Sequence, residues 1–265
     1  MPIAISAQFD FQLDQPTDII LQFEAAAIPE QAILSADTQL NCAEIARVPA
    51  HDGVGERVLF QAQGRIEVSY QALAEVNRLV PDLSNLAQLS PHDLPGETLD
   101  YLLDSRYCAA DRFQSFVEDE FAGTAGGARI QAIEDWIARH FTYEPVSTST
   151  TTALDSFVER RGICRDYAHV LITLARASTI PARYVSCFAP GVNPPDFHAL
   201  AEVFLADDTT PGGGAWYIVD ATRMANPSET VKIGIGRDAA DVSFLTSFGS
   251  ANFGDKTVTV TRQAG

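Results

Sequence analysis

Three residues that could act together as nucleophile, base and orienting acid stand far apart in the chain: Cys164, His198 and Asp220. Cys164 lies in "RRGICRDYAHVLITLARAS" (160–178), two residues after Gly162, where an apolar helical pattern begins. Unpaired backbone N–H groups and the helix dipole at such a position favour an anion, and so favour a thiolate over a thiol. Arg165 adds positive charge beside it if it points the same way. His198 opens the run "HALAEVFLA" (198–206), and Asp220 lies near the end of "AWYIVDAT" (215–222). The two runs read as successive antiparallel strands, so the start of the first meets the end of the second. That pairing predicts His198 and Asp220 on one rim of a sheet. A helix packed there by its N-terminus would complete a Cys–His–Asp site.

Each residue alone carries little. Free cysteine is most often a small packed hydrophobe, and Cys42, Cys108 and Cys187 are read that way. Cys187 in particular alternates within an apolar strand. On the helix of Cys164, His169 is five residues on. At about 100° per residue it points roughly 140° away from the thiol and cannot share its site. Asp166 falls in the first helical turn, where a carboxylate bonds free N–H groups. No set of four Cys/His ligands with short spacings appears, so neither a metal nor another cofactor is expected.

The elements that must position these residues follow from periodicity. "IAISAQFDFQL" places Ile3, Ile5, Ala7, Phe9, Phe11 and Leu13 on every second residue, the period of a half-buried strand. "DIILQFEA", "AILSADTQL", "ERVLFQAQ" and "RIEVSYQAL" continue the pattern, with Gly64 as the expected turn between the last two. Short strands at this spacing predict an N-terminal antiparallel β-sandwich over residues 1–90. A boundary is expected within "LVPDLSNLAQLSPHDLPGE" (79–97), rich in proline. Residues 91–265 then read as an α+β unit. "ARIQAIEDWIARHF" sets Ile130, Ile133, Ile137 and Phe141 on one helical face. A Ser/Thr loop leads to "ALDSFVERR", a helix expected to end at Gly162. The helix of Cys164 should bury Tyr167, Val170, Leu171 and Leu174. Strands at 182–189, 198–206 and 215–222 follow, the last two joined by a Pro/Gly turn.

Composition narrows the partners. Lys and Arg number 18 against 35 Asp and Glu, a formal charge of −17 that repels nucleic acid and anionic membrane surfaces. No run approaches the ~20 apolar residues of a membrane span. The first residues lack the pattern of a secretory leader. Four scattered cysteines without a C-x-x-C motif fit a reducing, cytoplasmic compartment. Oligomeric state has no signature here.

The run "RRGICRDYAHVLITLARASTIPARYVSCF", followed by "DFHALAEVFL" and "WYIVDAT", resembles the core of the transglutaminase-like superfamily. It is closest to the bacterial branch of transglutaminase-like cysteine proteases. The likeness takes in "ARIQAIEDWIARHFTY" and "GRDAADVSFLTSFG", and so covers most of 100–265. The strand-rich first part is similar to the β domain that accompanies this branch. One departure is Leu200, where an aromatic is frequent, with the pocket wall as the feature affected. The resemblance implies a transglutaminase/papain-like core of helices on an antiparallel sheet. It implies Cys164 as nucleophile, His198 as base and then acid, and Asp220 as its orienting group. The expected reaction is acyl transfer or hydrolysis at an amide (peptide, isopeptide or glutamine carboxamide) through a cysteine thioester. The substrate would then be a peptide or protein. Hydrolysis is favoured, because crosslinking needs a water-excluding amine tunnel that the sequence does not display. The backbone N–H of Cys164 should hold the oxyanion, with Tyr143 as the side-chain candidate. Arylamine N-acetyltransferases use the same three residue types, but their glycine-rich cysteine motif matches less well. The other class is an inactive, peptide-binding member of the superfamily, against which the presence of all three residue types argues.

Overall fold

The protein is described by a computed structural model covering residues 1–42, 44–210 and 213–263. Its first strands are β1 (Ile3–Leu21), β2 (Gln31–Leu40), β3 (Ala46–Pro49) and β4 (Glu56–Val76). After several 3₁₀ turns come α1 (Gln114–Glu120), α2 (Gly126–His140), β5 (Thr142–Tyr143), α3 (Ala153–Glu159), β6 (Arg161–Gly162) and α4 (Cys164–Ala177). The chain closes with β7 (Ala182–Phe188), β8 (His198–Ala206), β9 (Gly214–Val219), β10 (Val231–Gly236), β11 (Leu245–Ser247) and β12 (Ala251–Arg262). The α+β class and the antiparallel, strand-rich first part agree with the sequence. Residues 211 and 212 of the predicted Pro/Gly turn lie outside the described residues.

The alternation at the N-terminus extends into one long strand. Ile3, Ile5, Ala7, Phe9, Phe11 and Leu13 are all buried as predicted, and "DIIL" continues the same strand to Leu21. Gly64, expected as a turn, lies inside β4 opposite Leu13, where the β1–β4 register slips. Its φ of +91° lets the backbone absorb that slip without breaking the strand. The division at residue 90 also needs correction. β11 and β12 pair antiparallel with β1, so residues 245–262 complete the N-terminal sheet and 91–265 is not a separate unit. The reason is apolar burial: Val258 and Val260 pack against the core that β1 and β4 form.

The second sheet has the order β10-β7-β8-β9, all antiparallel. On one face, Ala199, Ala201, Val203 and Leu205 of β8 pack against α4, from which Val170, Leu171 and Leu174 are buried. Ile130, Ile133 and Ile137 of α2 join that core, as their spacing predicts. On the other side of the molecule, Phe188, Val231 and Ile233 are buried against β1 and β4, so the two sheets share a core. A buried ionic chain crosses the same seam. Arg183 reaches Glu202 at 2.7 Å, Lys232 bridges Glu202 and Glu30, and Arg78 meets Glu30 at 3.2 Å. Burial alone would raise the pKa of Glu202, but Arg183 and Lys232 outweigh it and bring it down to about 2.

Two short connections set up the site. Thr152 and Asp155 form a capping box at the start of α3. That helix ends at Arg160 in the left-handed region (φ 58°), not at Gly162 as predicted. The Arg160 guanidinium lies 4.3 Å from the ring centre of Trp136 and 4.2 Å from that of Phe157, which holds a non-glycine residue in a costly conformation. β5 and β6 then pair in parallel, Tyr143 opposite Gly162, and deliver the chain to Cys164.

Candidate active site

Cys164 is the first residue of α4, and the preceding turn is tightly built. Asp166 is fully buried, and its Oδ2 accepts from the N–H of Ile163 at 2.8 Å and from the hydroxyl of Ser147. The predicted capping role of Asp166 is therefore seen. A side chain at Gly162 would place its Cβ 2.6 Å from Asp166 Cβ and Oδ2, so only glycine fits between β6 and this carboxylate. The Arg165 guanidinium donates to the carbonyl of Thr148, pinning the Ser/Thr loop beside the helix start.

Antiparallel pairing of β8 and β9 produces the rim that the sequence predicts. Ala201 pairs with Val219, which leaves the beginning of β8 beside the residues just after β9. His198 Nε2 and Asp220 Oδ2 are 2.9 Å apart, and only 2% and 6% of the two residues is exposed. Asp220 receives three more hydrogen bonds: Thr222 N–H at 2.9 Å, the Thr222 hydroxyl at 2.7 Å and Ala225 N–H at 2.8 Å. Burial pushes the Asp220 pKa up, but the bond and charge of His198 and these donors hold it below its ordinary value. The carboxylate is ionised.

His198 is the electrostatic centre of the arrangement. Burial alone would lower its pKa; the hydrogen bond to Asp220 and the nearness of Cys164 overcome this and raise it to about 10. With Nε2 bonded to Asp220, it is Nδ1 that remains for the thiol. The structure thus pairs His198 with Asp220 and sets Cys164 close enough to His198 to influence its charge.

Tyr143 is also brought to Cys164. Burial, followed by the charge of Cys164, pushes its hydroxyl pKa up. The phenol is therefore neutral and can donate. Its ring leans on Tyr167 of α4 at 5.8 Å between centres.

The other sequence candidates are placed elsewhere. His169 is fully buried and stacks on Tyr107 at 5.1 Å, and its Nε2 accepts from Ala239 N–H at 3.2 Å. Leu200 packs in a small buried cluster with Val185, Cys187, Ile218 and Ile235. Cys108 and Cys187 are fully buried, which raises the pKa of Cys108 to about 12 and that of Cys187 well above its ordinary value. Sequence reading missed Thr222 and Ser147. A threonine two residues after an aspartate is the pattern of an Asx turn, the one signal that pointed to Thr222.

A profile of the transglutaminase-like superfamily matches residues 108–221, a span that contains Cys164, His198 and Asp220. A solved structure of a candidate cysteine protease from Cytophaga hutchinsonii superposes with a TM-score of 0.90 at 33% identity, covering 98% of this chain and 90% of that one. Among curated proteins, an uncharacterized protein of Mycobacterium leprae is 28% identical over 118 residues. One of Mycobacterium tuberculosis is 30% identical over 127 residues. These matches cover 44% and 43% of this chain, and 42% and 40% of the relatives. The chain thus spans less than half of the length of these two curated relatives. The fold is an α+β one of the papain-like kind, with helix α4 packed on an antiparallel sheet. The chain belongs to the transglutaminase-like superfamily.

Proposed function

We propose that this protein is a thiol-dependent enzyme that cleaves an amide in a peptide or protein substrate through a thioester on Cys164. The observation that carries the reading is the buried His198, bonded to Asp220 through Nε2 and raised in pKa by both Asp220 and Cys164. An imidazolium of that kind is the partner a thiolate needs. Likeness to a candidate cysteine protease at 33% identity supports the same class of chemistry.

In the proposed reaction the Cys164 thiolate adds to the carbonyl carbon, and the carbonyl oxygen takes the negative charge. The Cys164 N–H and the Tyr143 hydroxyl donate to that oxygen. His198 Nδ1–H gives its proton to the leaving nitrogen, the C–N bond breaks, and a thioester remains. Water then attacks the thioester while Nδ1 takes its proton. The acid departs and the thiolate–imidazolium pair is restored. An amine in place of water would give a new amide, so the mass of the product separates hydrolysis from crosslinking. The four free cysteines accord with the reducing, cytoplasmic compartment that belongs to this reading.

Alkylation at pH 7 followed by peptide mass spectrometry tests the proposal. Cys164 should be labelled first, because burial keeps Cys108 and Cys187 protonated and raises the Cys42 pKa as well. Cys164→Ala should abolish turnover of any acyl donor that forms the thioester, and alanine at the other three positions should leave it intact. Faster labelling of another cysteine in the folded protein would refute the assignment.

A further inference from the structure

The turn after β9 holds a polar residue outside the three reactive groups that touches two of them. In "DATRMA" (220–225) the Asp220 carboxylate folds back over its own backbone. Oδ1 accepts from Thr222 N–H at 2.9 Å and from the Thr222 hydroxyl at 2.7 Å, while Oδ2 accepts from Ala225 N–H at 2.8 Å and faces His198. Thr222 Oγ1 in turn receives Met224 N–H at 3.3 Å. A hydroxyl has one proton. Because the backbone of Met224 is the donor in that contact, the Thr222 proton is left for Asp220.

The register of the sheet explains why this residue stands where it does. Ala201 is opposite Val219, so continuing the ladder by three residues sets Thr222 across from His198. Thr222 Oγ1 lies 3.5 Å from His198 Nε2, at the edge of the bond that Nε2 makes to Asp220. The turn is held by more than these bonds. Arg223 adopts φ 60°, a left-handed conformation that is costly for a non-glycine residue. Its N–H donates to Asp220 O at 2.9 Å. Its side chain reaches α2, donating to Glu134 at 3.0 Å and pairing with Asp135. The carboxylate is thereby tied to the helix that leads directly into Tyr143.

We infer that Thr222 is a positioning residue that fixes the rotation of the Asp220 carboxylate, and so the aim of His198 Nδ1 at the Cys164 thiol. The inference rests on the triad reading above. Two donors on Oδ1 lock the carboxylate plane with Oδ2 toward Nε2. With the hydroxyl gone, one backbone donor remains on Oδ1, and the carboxylate can swing within the turn.

The test uses the full chain and iodoacetamide, with the rate of Cys164 alkylation at pH 7 read by mass spectrometry. Thr222→Val keeps the branched shape and removes the hydroxyl; Thr222→Ser keeps the hydroxyl. Valine should slow alkylation about tenfold, the scale of one hydrogen bond to a buried carboxylate. Serine should restore most of the rate, and both variants should unfold near the wild-type temperature. A second readout is the imidazole N–H proton signal of His198, sharp in the wild type and the Ser variant and broadened by exchange in the Val variant. His198→Ala serves as the control. If it slows alkylation while Thr222→Val alkylates at the wild-type rate with an unchanged His198 signal, the positioning role is wrong and the triad stands. If His198→Ala also reacts at the wild-type rate, the triad itself fails and Thr222 has nothing to position. Equal loss in the Ser and Val variants would likewise overturn a role for the hydroxyl.

Discussion

Replacing Asp220 by Asn removes a charge while keeping nearly the same shape, so its effects come through hydrogen bonds and through the field at His198. All four donors around the carboxylate are accounted for: His198 Nε2, Thr222 N–H, the Thr222 hydroxyl and Ala225 N–H, at 2.7–2.9 Å. An amide offers one oxygen and one NH₂ group. If the NH₂ takes the Oδ2 position, it meets the N–H of Ala225 and forces His198 Nε2 to accept. The ring proton then sits on Nδ1 and faces the thiol, in the tautomer that cannot take its proton. If the NH₂ takes the Oδ1 position, it meets the N–H of Thr222, and His198 loses the negative charge that stabilises its imidazolium. Either clash costs about 1–3 kcal/mol of stability. The rate cost should be far larger, on the order of 10⁴ as in serine enzymes altered at the corresponding acid. The pH dependence has two signs. His198 has a raised pKa, so its charged pairing stabilises the fold fully below about 6.5 and is lost as pH rises through about 10. Asp220 has a lowered pKa, so its contribution is present above its ordinary value near 3.8 and is lost as pH falls below it. In Asp220→Asn the upper window should shrink toward neutral pH. NMR titration of His198, thermal unfolding against pH, and Cys164 alkylation rates measure the three effects. A variant whose His198 still titrates near 10 and whose Cys164 reacts at full rate would refute the reasoning.

Two further perturbations probe the surroundings. Tyr143→Phe removes the proposed side-chain oxyanion donor and should lower kcat by roughly 10²–10³ with little change in KM, measured on any turned-over acyl donor; an unchanged kcat would leave the backbone N–H of Cys164 as the proposed donor. Lys232→Met leaves Glu202, fully buried, with Arg183 as its remaining cationic partner. It should cost about 1–3 kcal/mol in denaturant unfolding, because Oε1 of the buried carboxylate loses its partner while Arg183 still holds Oε2. Breaking this seam should loosen both sheets in one transition, since Glu30 and Arg78 belong to the N-terminal part.

Local pattern carried much of this protein. The period of two in β1, the apolar spacing of α2 and α4, and the helix start at Cys164 are properties of short segments, so they are legible residue by residue. The meeting of His198 with Asp220 was legible too, because two adjacent antiparallel strands have one geometric solution at their shared rim. Other features depend on what lies across the fold. Gly64 reads as a turn in isolation, yet sits inside a strand because Leu13 and its neighbours shift register opposite it. Arg160 ends α3 in place of Gly162, because Trp136 and Phe157 supply two aromatic faces for its guanidinium. Residues 245–262 return to β1 because the N-terminal core still has apolar surface to cover, a demand that no local window of those residues expresses. Residue types and short-range spacing thus pointed to the candidate side chains and to the elements that carry them. Packing across the whole chain settled the rest: the four-donor turn around Asp220, the nearness of Tyr143 to Cys164, and the core that both sheets share. Those outcomes need contacts between distant residues, such as Gln31 and Lys232, which are 201 positions apart. The chain entropy lost in closing such contacts is offset only by burial in the assembled whole, and a short segment has no such burial to offer.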